Sequence, residues 1–443
     1  MVSLENLYGI FQKHPAVCTD TRQLSAGCIF FALKGDTFDG NQFAQKALEN
    51  GAAYAVIDNP ACQTASRRCL LVPDVLQTLQ QLARHHRCQF DIPVIAIGGS
   101  NGKTTTKELV SAVLNSHYPC HFTQGNLNNH IGVPLTLLSM PANTEVAVVE
   151  IGANQPGDID QLCAIAHPTH GLLTNIGKEH LEGFGNLNGV KKAEGELYRY
   201  LARHRGCVFV NTSEKYLQAM TRRNPKRICY GASEDLALED SKIDVRLMAE
   251  TPFIAAAFLS ESNQPVEVQS QLIGRHNFHN IMTAIALGVY FKVSAAKIKA
   301  AIENYRPANN RSQLLKRGAN TVFLDAYNAN PSSMRAALDT LKAVQAPHKV
   351  AILGDMLELG AESATEHQAI LRYATRCRLD YLVVVGPEFG RCARTENGAL
   401  LHFPDAQAAR TWLKRQDFQE TFILIKASRG MRLEQVLDAG AGH

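Results

Sequence analysis

The chain has 443 residues, 45% hydrophobic and 19% charged, with a formal net charge of +4, a length that suggests about three domains, each able to bury an ordinary core. Its basic runs, Arg84-His85-His86-Arg87 and Arg222-Arg223, are short and lack interleaved aromatics, which excludes a nucleic-acid track and reads as solvated helix faces. No apolar run approaches the ~20 residues of a membrane span, and eleven cysteines without a C-x-x-C pair exclude a zinc site or a disulfide frame and point to reduced thiols in a soluble, cytoplasmic protein.

Residues 4–11 are amphipathic, with neither a basic leader nor a cleavage site. Residues 28–33 and 53–57 read as buried strands, and 42–50 and 75–87 as helices. The polar loop 34–41 reads as turn chemistry or as a ligand loop. Upstream, Thr21 and Arg22 set a guanidinium beside hydroxyls, which grips a phosphate or diphosphate or simply turns the chain. Asp91-Ile92-Pro93 reads as a linker.

At 94–97 four apolar residues predict a buried strand. The turn Gly98-Gly99-Ser100-Asn101-Gly102 follows, and Lys103-Thr104-Thr105 opens a helix. That order is a phosphate cradle: turn N–H groups and the positive end of the helix dipole face an anion. Lys103 would reach the β/γ-phosphates and the Thr104 hydroxyl would sit on Mg²⁺. The spacing departs from the usual P-loop, because Ile97 stands where its first glycine belongs.

Beyond the cradle, 123–134 holds Asn126, Asn128 and Asn129, which form Asx turns or touch a ligand. Strand 146–149 ends in Glu150, placed like a Walker-B carboxylate that holds Mg²⁺. Strand 171–176 carries Asn175 and runs into a loop with His180, a residue for metal, nucleotide or plain structure. In the charged helix around 186–200, Glu194 and Glu196 are two apart and cannot share a face. Asn277 and Asn280, three apart before the apolar helix 281–291, suit an adenine edge, or Asn277 caps the helix.

From 306 onward, strands at 321–324, 350–353, 381–385, 400–403 and 422–425 alternate with helices and predict a mostly parallel sheet. Polar residues gather at their C-terminal ends, where ligands bind in open α/β sheets: Asp325 to Pro331, with Asn328 and Asn330 and then Ser333; Gly354-Asp355-Met356; and Lys426 to Arg429. No G-x-G-x-x-G occurs, so this unit is Rossmann-like without the dinucleotide fingerprint.

Together these stretches resemble the Mur ligase family of ATP-dependent amide ligases. The resemblance rests on residues 99–105, Glu150-Ile151-Gly152, Thr174-Asn175-Ile176 with His180, His276-Asn277 with Asn280, and Arg311. Residues 125–134, 325–331 and 354–360 are similar to the member that adds D-alanyl-D-alanine. It implies an α/β chain of three domains: 1–88 for a UDP-sugar peptide, a central P-loop ATPase-like parallel-sheet domain at 89–307, and a Rossmann-like domain at 308–443 for the incoming amine. The implied cofactors are ATP and Mg²⁺, with Thr104, Glu150, His180 and Glu194 on the metals and the 99–105 loop, Asn175, Asn277, Asn280, Arg311 and Asp325 on the nucleotide. Thr21, Arg22, Asn126, Asn129, Asn328, Asn330 and Ser333 fall to UDP-N-acetylmuramoyl tripeptide and D-alanyl-D-alanine, with a monomer that needs neither nucleic acid nor membrane.

There are departures. Glu194 stands where the family carries a carbamylated lysine, with Lys191 and Lys192 out of register, and is expected to take its metal role or to leave a weakened second site. Leu324 and Ala427 replace a common Asp and Gly. Two alternatives stay open: a sibling such as a folylpolyglutamate synthetase, and a nucleotide-binding scaffold without turnover.

Overall fold

Among the described residues three large sheets follow one another along the chain, with a two-stranded ribbon beside the first. The computed structural model describes residues 1–63, 66–239, 241–393 and 400–437, so the end of the third expected domain, 438–443, lies outside the described residues. Helix α1 (Leu4–Lys13) starts at Ser3, whose hydroxyl accepts the Asn6 N–H as an N-cap. Then come β1 (Val17–Cys18), β2 (Ile29–Phe31), a hairpin of β3 (Lys34–Gly35) and β4 (Phe38–Asp39), α2 (Ala44–Glu49), β5 (Tyr54–Ile57), β6 (Cys69–Leu71) and α3 (Val75–Arg87). β1, β2, β5 and β6 pair in that order, all parallel.

The segment 91–93 is a fixed joint rather than a loose linker. Leu79 and Leu82 of α3 share one apolar core with Val133, Leu137 and Ile159 of the next unit. Arg87, expected on a solvated face, is only 4% exposed. Its guanidinium donates to the carbonyls of Phe90, Ile92, Ala166 and His167 at 2.7–3.4 Å. The forked donor set of arginine suits converging carbonyls, and it wins over solvation here.

The central unit runs β7 (Val94–Gly98), α4 (Lys103–Asn115), β8 (Cys120–Phe122), α5 (Gly132–Leu138), β9 (Val146–Glu150), α6 (Asp158–Ala166), β10 (His170–Leu173), α7 (Leu181–Phe184) and α8 (Leu187–Arg203). It continues with β11 (Cys207–Asn211), α9 (Leu217–Met220), β12 (Lys226–Ala232), β13 (Leu238–Glu239), β14 (Lys242–Ala249), β15 (Ala255–Leu259), β16 (Pro265–Gln269), α10 (His276–Tyr290) and α11 (Ala295–Asn304). The strand order is β16-β15-β14-β12-β11-β10-β7-β9-β8. Pairing is parallel from β14 to β8 and antiparallel among β14, β15 and β16. β7, an interior strand third from the β8 edge, is buried along its whole length, as a strand covered on both faces must be. Its C-terminal end delivers the glycine turn.

The third unit comprises β17 (Gln313–Arg317), β18 (Asn320–Asp325), α12 (Pro331–Ala343), β19 (His348–Gly354), α13 (Ser363–Ala374), β20 (Tyr381–Val385), α14 (Pro387–Ala393), β21 (Leu400–Phe403), α15 (Ala406–Leu413) and β22 (Thr421–Lys426). The order is β17-β18-β22-β19-β20-β21, with only β17 antiparallel to its neighbour. Leu324 is buried in its core, where an aspartate would need a partner. Leu181 and Ile273 of the central unit pack into this unit's other core, so the two sheets present their strand C-terminal ends to one shared space. Among the described residues, no helix is long and apolar enough to cross a membrane.

Candidate active site

The glycine turn after β7 has a conformation that side chains would break. Gly99 has φ +109°, and a Cβ there would lie 2.4 Å from Thr174 Oγ1. Gly102, at φ +79°, is the left-handed residue from which α4 begins. Asn175 pins the turn from the side: its Oδ1 accepts the Asn101 N–H at 3.1 Å, its Nδ2 donates to the Asn101 carbonyl at 2.8 Å, and its own carbonyl accepts the Ser100 N–H at 3.0 Å. Ser100 Oγ accepts the Gly177 N–H at 2.8 Å. The loop is therefore preformed, with the start of α4 aimed at a cavity of about 520 Å³ that Ser100 through Thr105 line.

Lys103 Nζ donates to the Gly99 carbonyl and lies 3.5 Å from Glu179 Oε2. Burial disfavours its charge, but Glu179, Glu194 and Glu150 outweigh that and raise its pKa. Glu150, at the tip of β9, accepts from Thr104 Oγ1 at 3.1 Å and from Asn128 Nδ2 at 2.8 Å. Its other oxygen, Oε2, has no hydrogen-bond partner, and neither has Glu179 Oε1. Both residues line the cavity, and buried carboxylate oxygens left free are the hard donors a divalent cation takes. Among the described residues no three His, Cys, Asp or Glu side chains converge as a ready-made metal cluster. Mg²⁺ commonly completes its shell with phosphate oxygens and water.

The opposite wall comes from the third unit. Asn328, Asn330, Ser333, Arg311 and Asp325 all line the same cavity, as do Asn126, Asn129, Asn277 and Asn280. Asn330 caps α12 with Ser333 in a reciprocal capping box, and its Nδ2 donates to Asn101 Oδ1 at 2.8 Å. Arg311 stacks over the Tyr327 ring at 3.5 Å. Asp325 pairs with Lys426 and accepts the Ser312 N–H at 3.0 Å; burial raises its pKa, yet these partners bring the net value down. Asn277 is inside α10 rather than at its cap. Its Nδ2 donates to the Ile273 carbonyl and its Oδ1 accepts from Asn280, so the pair does share a face.

Models for the Mur ligase middle domain, the Mur ligase glutamate ligase domain and the catalytic domain of the Mur ligase family match residues 97–288, 310–429 and 15–87. The UDP-N-acetylmuramoyl-tripeptide–D-alanyl-D-alanine ligase of Bacillus subtilis (strain 168) is 34% identical, over 95% of this chain and 92% of its own length. The chain belongs to the Mur ligase family. The Escherichia coli (strain K12) ligase of the same name is also 34% identical, over 96% of this chain and 93% of its own. Among solved structures, MurF from Acinetobacter baumannii superposes with a TM-score of 0.83 at 30% identity, covering 95% of this chain and 92% of that one. MurF from Thermotoga maritima in complex with ADP gives a TM-score of 0.83 at 25% identity, with 99% and 98% covered.

Where the resemblance implies a carbamylated lysine, this Mur ligase carries Glu194. The residue is fully buried on α8, absent from the cavity lining, and its Oε2 accepts the Gly99 N–H at 2.7 Å. Two side-chain methylenes bring it to the loop backbone and no further. Burial and the Glu179 charge push its carboxyl up to about 7, against Lys103 and the Gly99 N–H. Glu196, facing the other way, accepts the Gly157 and Asp160 N–H groups at the start of α6. His180 lines the cavity, but its Nδ1 is committed to Glu358. Thr104 and Glu150 are therefore in direct contact, while His180 and Glu194 are hydrogen-bonded to other groups, Glu358 and the Gly99 N–H. Thr21 and Arg22 are outside the cavity, in a turn where Asp20 holds the Arg22 guanidinium at 2.7 Å. Glu179 carried no site reading in the sequence, whereas Asn128, Tyr327 and Lys426 fell inside stretches expected to face a ligand without being assigned a role there. Asn126, Asn128 and Asn129 all line the cavity, and what singles out Asn128 is its hydrogen bond to Glu150, a contact that no loop sequence records.

Proposed function

We propose that this Mur ligase joins D-alanyl-D-alanine to UDP-N-acetylmuramoyl tripeptide at the expense of ATP, through an acyl phosphate, giving the UDP-N-acetylmuramoyl pentapeptide, ADP and phosphate. The observation that carries this reading is one cavity lined both by the phosphate loop with Glu150 and by Arg311, Asn328 and Asn330 of the third unit. A triphosphate and its acceptor can meet there, screened from water by contacts such as Asn330 to Asn101 and Lys178 to Glu366.

The tripeptide carboxylate and the γ-phosphoryl group repel, so attack needs positive charge fixed in advance. Lys103 supplies one charge and the N–H groups of the turn supply partial ones. Thr104, Glu150 and His180 are the side chains that would hold Mg²⁺, which when bound neutralises phosphate oxygens. Asn175 keeps the loop in register during transfer. The dipeptide amine, with an ordinary pKa near ~8, loses a proton and attacks the acyl carbon; the tetrahedral adduct then expels phosphate. Asn277 and Asn280 read the adenine edge, Arg311 and Asp325 close on the nucleotide, and Asn126, Asn129, Asn328, Asn330 and Ser333 hold the two acceptors. The first unit, with Thr21 and Arg22, takes the UDP-sugar end. We take the protein to work in the cytoplasm as a monomer; its scattered, unpaired cysteines support the compartment.

Incubation with ATP and both acceptors should release ADP, phosphate and the pentapeptide. Lys103→Met should lower kcat by on the order of 10²–10³. Phosphate release with folate and glutamate instead would favour the sibling ligase, and ATP binding without turnover would favour a scaffold.

A further inference from the structure

We infer that Glu179, rather than Glu194, supplies the second carboxylate that meets a divalent cation in this cavity, and that Glu194 is a positioning residue for the phosphate loop. The inference rests on the ATP-dependent reading above and refines it for this chain's own residues.

Glu179 is 4% exposed, lines the cavity and has one oxygen, Oε1, with no hydrogen-bond partner. Its other oxygen is held by Lys103 alone at 3.5 Å, among the described residues. Glu150 Oε2 is the second free, buried oxygen on the same cavity. Glu194 also has a free oxygen, but its carboxylate sits against the loop backbone, with Oε2 on the Gly99 N–H and 3.0 Å from where a Cβ on Gly98 would be. Of the carboxylates with an unpartnered buried oxygen among the described residues, Glu179 and Glu150 are the two that line the cavity.

Charge balance points the same way. Lys103 is the cation that faces Glu150, Glu179 and Glu194 together. The neighbouring cations are engaged: Lys107 with the Thr123 and Gly125 carbonyls and Glu108, Lys426 with Asp325. A triphosphate arriving at the loop draws Lys103 to itself. Glu179 then loses its partner inside a buried site, a costly state unless another cation replaces the ammonium. A divalent ion shared between Glu179 and phosphate oxygens restores neutrality with the donor set that Mg²⁺ prefers. Glu194 needs no such replacement, because the Gly99 N–H stays with it.

The test titrates Mn²⁺ into the full-length protein with a β,γ-imido ATP analogue, counting bound ions by electron paramagnetic resonance. Wild type should bind about two Mn²⁺ per chain. In Glu179→Gln one site should weaken by at least about tenfold, and Glu179→Asp should recover part of it. Glu194→Gln should keep both sites, whereas Glu194→Ala should weaken binding of the analogue by about tenfold because Gly99 loses its acceptor. Two undiminished sites in Glu179→Gln, or a site lost in Glu194→Gln, would overturn the inference while the ligase reading stands. Analogue affinity unchanged in Glu194→Ala, or not rescued by Gln, would remove the positioning role. If wild type binds no analogue at all, the ligase reading itself fails and takes the inference with it.

Discussion

His180 Nδ1 lies 2.6 Å from Glu358 Oε2, tying the loop after β10 in the central unit to the loop after β19 in the third. Both residues have left-handed backbones, at φ 42° and 63°, a conformation that non-glycine residues hold only when their surroundings impose it. The contact fixes the imidazole with its other nitrogen left over, as an outer carboxylate does for a ligating histidine. Glu358→Gln should therefore lower kcat by about tenfold with little change in the KM for ATP, read by steady-state phosphate release.

The same contact has a pH signature. The hydrogen bond from His180 holds the Glu358 carboxyl below its ordinary 4.5, against partial burial. A carboxyl lowered in the folded state contributes stability that is present above its unfolded value and lost as pH falls through the folded one. The melting-temperature gap between wild type and Glu358→Gln should therefore shrink as pH falls from about 6 towards about 3.

Arg87 offers a test of the joint between the first two units. Replacing it with alanine leaves carbonyls of Phe90, Ala166 and His167 without their donor in a buried place. The expected cost is about 3 kcal/mol, seen as a lower urea midpoint. A change near zero would mean that water takes over the carbonyls and that the joint opens freely.

Arg87 also shows where sequence reading stops. Helix α3 was legible to the residue, because its apolar spacing and its Asp74 N-cap are local signals. Whether the last turn of that helix meets water or the carbonyls after α6 depends on a contact nearly eighty positions away, which no local pattern records. The phosphate loop was readable for the opposite reason: Gly99 and Gly102 answer to backbone constraints within the motif itself. The strands between β11 and β16 were not picked out. Several mix exposed and buried positions, as Lys226–Ala232 does, so they lack the continuous apolar run that marked β7. Glu179 beside His180 gave no signal, since its meaning comes from Lys103 at the start of α4.

Glu194 should make the empty protein less stable as pH rises. Burial first, then the Glu179 charge, raise its carboxyl to about 7 from an ordinary 4.5, with Lys103 and the Gly99 N–H opposing. Between those values the folded chain binds more protons than the unfolded one. The contribution is thus complete below the unfolded value and lost as pH climbs through the folded value. Glu194→Gln mimics the protonated form and keeps an acceptor for Gly99. Without nucleotide or Mg²⁺ it should match wild type near pH 5 and be more stable near pH 8 by on the order of 2 kcal/mol. Equal melting curves at both pH values would mean that Glu194 titrates like an exposed carboxylate.

Independence from carbon dioxide follows from the same residues. The family resemblance puts a carbamylated lysine at the place of Glu194, a group made by adding CO₂ to a neutral amine with loss of a proton. Here the carboxylates beside Lys103 are Glu150, Glu179 and Glu194, present at translation. Lys191, three residues before Glu194 in the helix, lies with its ammonium 3.6 Å over the Tyr216 ring, engaged away from the loop. Turnover in CO₂-free buffer should therefore stay within about twofold of turnover with added bicarbonate. Glu194→Lys reverses the requirement: without CO₂ it sets an ammonium near Lys103 in a buried site, which like-charge repulsion and desolvation both oppose. Its carbamate restores a negative group on a longer arm. Bicarbonate should raise the activity of that variant by about tenfold or more while leaving wild type unmoved; stimulation of wild type would show that one of its own lysines takes the carbamate.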